Sequence, residues 1–244
     1  MYKKLFIVAA TCAAIHASAQ VPVSSTFQIG VSADINQLTN GYQLDTLSAS
    51  QLGTLNPYSG SLSVQDSDPV NAGHSVTATS AASASWVDAG HGSVAWRNMG
   101  WKFDTVTNAE ATLNGFVLSA PVWSYTFKAD QNGSFHLNYD VRGMGDTFGL
   151  LGLQIDWSGV EGGLSLVNVS DPTTSGTFSR PLVAGETYTV GLSNMANVFV
   201  NQDPTTRSGH MDADFGWRIQ TVPEPTTLVG FAGLVALSLR RKKQ

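Results

Sequence analysis

Between Phe135 and Val141 the chain alternates without a break. Phe135, Leu137, Tyr139 and Val141 fall on one side, and His136, Asn138 and Asp140 on the other. A period of two gathers apolar residues on one face only in a strand; a helix would scatter them around its axis. The pattern recurs four times. Val122 to Phe127 sets Trp123, Tyr125 and Phe127 together, and Leu151, Leu153, Ile155 and Trp157 alternate with Gly152, Gln154 and Asp156. Tyr188, Val190 and Leu192 make a further run, as do Phe215, Trp217 and Ile219. Turn chemistry separates the runs at Asp130 to Gly133, Gly143 to Asp146, Gly159 to Gly163, Asp171-Pro172 and Gly185-Glu186. No helical apolar stripe stands out in 21–221. The expected fold class is mainly β, a single jelly-roll-like sandwich of two sheets.

Two stretches read less simply. From His74 to Trp86 small residues alternate, Ala78, Ala82 and Ala84 against Thr77, Thr79, Ser83 and Ser85. That is either a long strand in a tightly packed place or a segment without fixed structure. Residues 20–60 are rich in Ser, Thr, Gln, Asn and Leu; Thr26 to Val31 is predicted as a strand, and Asp34 to Leu52 as the place for a short helix. The chain divides into a signal peptide at 1–19, a polar segment at 20–60 that belongs to the body or leads into it, a β body at 61–221 and a C-terminal signal at 222–244. No linker or internal repeat splits the body.

The N-terminus has the three parts of a secretory signal peptide: Lys3 and Lys4, an apolar run from Leu5 to Ile15, and Ala17-Ser18-Ala19. Small residues at Ala17 and Ala19 place the cut before Gln20. The only cysteine is Cys12, so the exported part has no disulfide, thiol nucleophile or thiolate metal site. Residues 21–221 hold 7 cations against 17 anions, a net charge of −10. Nucleic acid is excluded as a partner on that balance, because phosphate contacts need clustered Lys and Arg.

No catalytic motif is present: no Gly-x-Ser-x-Gly elbow, no His-Glu-x-x-His and no phosphate-binding glycine loop. Asp140, Asp156 and Glu161 can be paired in too many ways to define the two facing carboxylates of a glycosidase. No catalytic residue is assigned, and a non-enzymatic role is expected. Two acidic pairs, Asp66-Ser-Asp68 and Asp212-Ala-Asp214, have a spacing that in a loop can converge on calcium. The densest group joins Asp203, His210, Asp212 and Asp214. Without the full calcium-loop pattern these read as strand ends and solvated faces, so no cofactor is expected. Asp203, Asp212 and Asp214 are the residues a calcium ion would use. All six tryptophans lie in the exported part. Trp123, Trp157 and Trp217 follow the apolar faces of their strands. Trp96 and Trp101 bracket Arg97-Asn-Met-Gly100, read as a turn, and are the candidates for stacking on a sugar ring.

The C-terminus is an address. Val222-Pro223-Glu224-Pro225 is followed by an uncharged span, Thr226 to Leu239, and then by Arg240, Arg241, Lys242 and Lys243. Two prolines keep the motif extended, and one carboxylate gives it a handle. At 1.5 Å per residue the span is about 21 Å long as a helix, short of a hydrocarbon core of roughly 30 Å. The cations hold the C-terminus on the cytoplasmic side and leave the body outside. This order of parts resembles the PEP-CTERM sorting domain of Gram-negative bacteria. The resemblance implies a single membrane-spanning sorting helix, recognition of Pro223, Glu224 and Pro225 by an exosortase, transient residence in the inner membrane and release to the cell surface or matrix. It also implies an association with exopolysaccharide and biofilm. Three readings of the body follow: a structural or adhesive matrix component, a lectin-like module, and a secreted hydrolase.

Overall fold

The computed structural model describes residues 20–35, 43–52, 55–68, 73–104, 114–119, 122–145, 154–158, 164–165, 173–193, 196–201 and 207–222. Ala17, Ala19, Pro223, Glu224, Pro225, Arg240, Arg241, Lys242, Lys243 and Asp203 lie outside them, as does the 151–153 part of the Leu151 to Trp157 run. Among the described residues every regular element is a strand, and the strands form two antiparallel sheets.

The eight-stranded sheet has the order β10 (Leu164–Ser165), β9 (Gln154–Trp157), β12 (Thr187–Ser193), β7 (Val122–Ala129), β1 (Gln20–Ile35), β6 (Asn114–Ser119), β13 (Ala196–Asn201). β2 (Gln43–Leu52) pairs with β1 along its other edge. The six-stranded sheet has the order β11 (Thr174–Leu182), β8 (Gly133–Gly145), β14 (Arg207–Thr221), β5 (His91–Asp104), β4 (Ser75–Asp88), β3 (Tyr58–Ser67).

The alternating faces meet in one core. Trp123, Tyr125 and Phe127 of the first sheet lie against Phe135 and Trp217 of the second, with ring centroids 6.3 Å apart for Trp123 and Trp217, 5.1 Å for Tyr125 and Trp217, and 6.2 Å for Phe127 and Phe135. Each fully buried ring contributes about 1.5–3 kcal/mol, and a well-placed pair adds roughly 0.5–1.5. Tyr125 donates its hydroxyl to the Ala89 carbonyl at 2.9 Å. Burial first, then the charge of Asp88, push its phenol above the ordinary value.

His74 to Trp86 is a long strand for most of its length, with Ala78, Ala82 and Ala84 buried. The helix expected between Asp34 and Leu52 is a misreading where the structure describes that stretch. Gln43–Leu52 pairs with β1 over ten positions, from Ser24 opposite Leu52 to Ala33 opposite Gln43. Its leucines suit a helix by propensity, but β1 offers a free ladder edge, and tertiary pairing overrides so weak a preference.

Candidate functional site: a bulge and groove on the six-stranded sheet

β5 carries two inward-facing sets of opposite parity. Val94 and Trp96 are buried, and so are Met99, Trp101 and Phe103. An uninterrupted strand would send the second set outward. The change of phase is absorbed at one place. On one side Ala81 pairs with Arg97 and Thr79 with Gly100; on the other Ala213 pairs with Trp96 and Met211 with Met99. Between those pairs two residues of β5 oppose one on each neighbour, Ser80 and Asp212. This is a β-bulge felt by three strands, the kind of feature that re-aims a side chain.

Asn98 sits at its centre with φ 51°, the one non-glycine residue at positive φ among the described residues. Asparagine tolerates that conformation better than most residues. Its backbone groups, taken out of the ladder, are met by side chains. Asp212 Oδ1 accepts the Asn98 N–H at 2.9 Å, and Thr79 Oγ1 donates to the Asn98 carbonyl at 2.8 Å. Arg97 pins the flank: Nη1 donates to the carbonyls of Trp96 at 2.8 Å and Ala213 at 3.1 Å, and Nη2 reaches Asp214. Arg142 takes the other oxygen of Asp214.

These contacts correct the reading of Arg97 to Gly100 as a turn, since the chain passes through without reversing. They also correct the assignment of exposed indoles. Trp96 is 0% and Trp101 4% exposed, so neither offers a ring face to a glycan. The exposed residue is Asn98. Asparagine supports positive φ in turns and bulges alike, which is why the sequence marks the position without distinguishing the two.

Beside the bulge lies a shallow groove of about 490 Å³. Ser61 and Ser63 of β3, Thr79 and Ser80 of β4, Asn98 and Lys102 of β5 and His210 of β14 line it, together with Trp101. Lys102 Nζ lies 2.7 Å from Asp104, a partly exposed pair of small energetic weight. The eight-stranded sheet has a smaller depression of about 350 Å³ around Gly191. Its polar groups are already engaged: Ser193 donates to Asp156 at 3.1 Å, and Ser158 Oγ accepts the Thr189 N–H at 2.6 Å.

The remaining sequence candidates are placed as follows. Asp212 and Asp214 share the outer face of β14 with His210, but Asp212 caps the bulge and Asp214 is held by two guanidinium groups. Among the described residues no group of three or more His, Cys, Asp or Glu is placed to hold a metal ion. Gln20 opens β1, buried and paired with Ala129. Val222 is exposed, its N–H donated to the Asn132 carbonyl at 2.8 Å.

No family model matches this chain, and no curated protein matches it. Among solved structures, a GH31 alpha-xylosidase from Xanthomonas citri is similar over 78% of this chain and 27% of its own, at 9% identity and a TM-score of 0.19. The chain thus spans about a quarter of that enzyme, and a likeness at this score carries no argument about fold or activity.

Proposed function

We propose that this is an exported surface or matrix protein with a structural or adhesive role, carried to its place by the C-terminal tail. The observation that carries the reading is the order Val222-Pro223-Glu224-Pro225, apolar span, Arg240-Arg241-Lys242-Lys243 behind an N-terminal export signal. On this reading the signal peptide is removed before Gln20 and an exosortase reads the motif. The short span of Thr226 to Leu239 holds the protein in the inner membrane until the tail is cut or exchanged. The body is then a jelly-roll-like sandwich facing the outside.

The build of the body suits such a place. It uses no disulfide, and both sheets carry hydroxyl-rich outer faces tied by side-chain hydrogen bonds. Examples are Thr26 with Ser124 at 2.7 Å, Ser85 with Ser93 at 2.9 Å, and His136 between Ser134 at 2.7 Å and Ser179 at 3.1 Å. Mass spectrometry of the surface-bound protein from its host tests the sorting reading. Loss of the tail at or near Pro223–Pro225 is expected, with inner-membrane retention of Glu224→Ala. A surface form still ending in Gln244 sinks it.

A second reading, that the body binds carbohydrate, is favoured by the groove beside Asn98. Its hydroxyls, amide, lysine and imidazole are donors and acceptors that suit a polyol. A glycan array probed with the exported protein tests it, and the absence of binding to any glycan rejects it.

A further inference from the structure

The residue that opens β1 is also the one that the export reading makes the new N-terminus. Gln20 pairs with Ala129 of β7 and is 5% exposed. Its Nε2 has no hydrogen-bond partner, an unfavourable state that native structures seldom keep. The side-chain oxygen reaches the turn between β4 and β5, since a Cβ added to Gly90 would lie 3.0 Å from Gln20 Oε1. Cleavage before Gln20 adds a second fault at the same place. It turns the backbone nitrogen into an amine that is ionised at neutral pH, with three N–H donors where a strand uses at most one. A charge in so closed a place is costly unless an acid pairs with it. Asp88, the carboxylate beside Gly90, is already engaged: one oxygen accepts the Gly90 N–H at 2.7 Å, and the other faces His91 Nδ1 at 3.4 Å. Lys128, opposite Val21 on β7, adds a like charge on the neighbouring strand.

We infer that Gln20 is a modification site, where the α-amino nitrogen closes on the side-chain carbonyl carbon to give the cyclic lactam pyroglutamate. The inference rests on the reading that the signal peptide is removed before Gln20. The new bond joins the α-nitrogen to Cδ, the Cδ–Nε2 bond breaks, and Nε2 leaves as ammonia with a proton from the amine. Nothing is oxidised or reduced, and no co-reactant is needed. Nucleophile and carbonyl belong to the same residue, so the step needs only a side chain free to turn back on its own backbone. It therefore precedes the docking of β1. A single reaction removes both faults: the unpaired Nε2 is gone, and the ammonium becomes a neutral amide with one N–H. The sheet then starts on an uncharged ring that aminopeptidases requiring a free amine do not trim.

The test is mass spectrometry of the N-terminal peptide, with stepwise N-terminal sequencing, on the exported protein freshly isolated from its host. The expected peptide starts at Gln20, weighs one ammonia less than its sequence, and is blocked to sequencing until pyroglutamyl aminopeptidase opens the unfolded chain. A peptide that starts at Gln20 with its full mass and a free amine overturns the inference and leaves the cut in place. So does a free amine that is lost only on storage. A peptide that starts at any other residue refutes the cut before Gln20, and the inference falls with it. Gln20→Glu, which has no amide to lose as ammonia, should keep a free amine. A block in that variant would show that the block has another cause, and would overturn the assignment to Gln20.

Discussion

The carboxylate of Asp212 accepts the backbone N–H of Asn98 at 2.9 Å, standing in for the ladder bond that the bulge in β5 removes. An isolated backbone donor at this point would break the continuity between β5 and β14. Asp212→Ala should therefore cost about 1 kcal/mol, the typical worth of such a bond at a partly exposed site. Asp212→Asn, which keeps an acceptor oxygen, should cost less. Urea denaturation midpoints compare the two; equal midpoints for wild type and Asp212→Ala would contradict this role.

Asn98 should tolerate glycine and resist everything else. Asn98→Ala places an ordinary residue at positive φ for about 1–2 kcal/mol, and a β-branched residue costs more. Deleting Asn98 is a different order of change. It removes the extra residue and leaves Trp96 and Trp101 four apart, an even interval that keeps both on the core face of an uninterrupted β5. The expected outcome is that cooperative thermal unfolding survives in the deletion as in Asn98→Gly. A deletion variant that no longer melts cooperatively would show that the bulge does more than absorb one residue.

Close approach of backbone to ring makes two glycines unequal. A Cβ added to Gly92 would lie 2.6 Å from both the Ser85 carbonyl and the buried ring of Trp217, while one on Gly176 would lie 2.5 Å from the hydroxyl end of Tyr139. The first neighbours are fixed; the second is the partly exposed tip of a side chain that can swing. Gly92→Ala should destabilise by about 1–3 kcal/mol, the usual cost of overpacking, and Gly176→Ala by less. Calorimetric melting that ranks them the other way would refute the argument.

Asp34 sets a pH dependence of definite sign. It is 8% exposed, and one of its carboxylate oxygens has no partner. Burial, and second the charge of Asp66, raise its carboxyl above the ordinary 3.8. The folded state therefore holds this proton more tightly than the unfolded chain. The resulting stabilisation is complete below 3.8 and is lost as pH rises through the raised folded value. Asp34→Asn should lack that decline, so the wild-type-minus-variant difference in unfolding free energy should become less favourable across the window. A difference that does not change with pH there would rule this out.

Much of the fold was legible because alternation is a direct consequence of strand geometry. The inward residues of β7, β8, β12 and β14 are the ones the period of two picks out, and all of them pack in the common core or against it. β2 was not legible, because Gln43–Leu52 lacks clean alternation and is a strand only by virtue of its partner β1. The site was half legible. Arg97 to Gly100 was singled out for the right signal, an asparagine and a glycine between two tryptophans. A turn there would put both indoles outside. Trp96 and Trp101 are five apart, an odd interval that puts residues on opposite faces unless one extra residue intervenes, and only the registers of β4 and β14 reveal it.

The place of β1 has a consequence for the order of events during folding. It is the first described strand, yet apart from β2 its partners are β6 and β7, and the hydroxyls of Thr26 and Ser124 that meet across that seam are 98 positions apart in the chain. A chain emerging N-terminus first exposes one edge of β1 long before Trp123 arrives to lie opposite Phe27. Until then β2 holds its other edge and Tyr58 of β3 stacks on Phe27, but the edge that β7 takes stays open. Closing so long a loop is slow and comes late, and an unpaired edge is adhesive while it waits. A newly made chain thus passes through an interval in which β1 offers an open edge to other chains, and a holding chaperone would act on that strand.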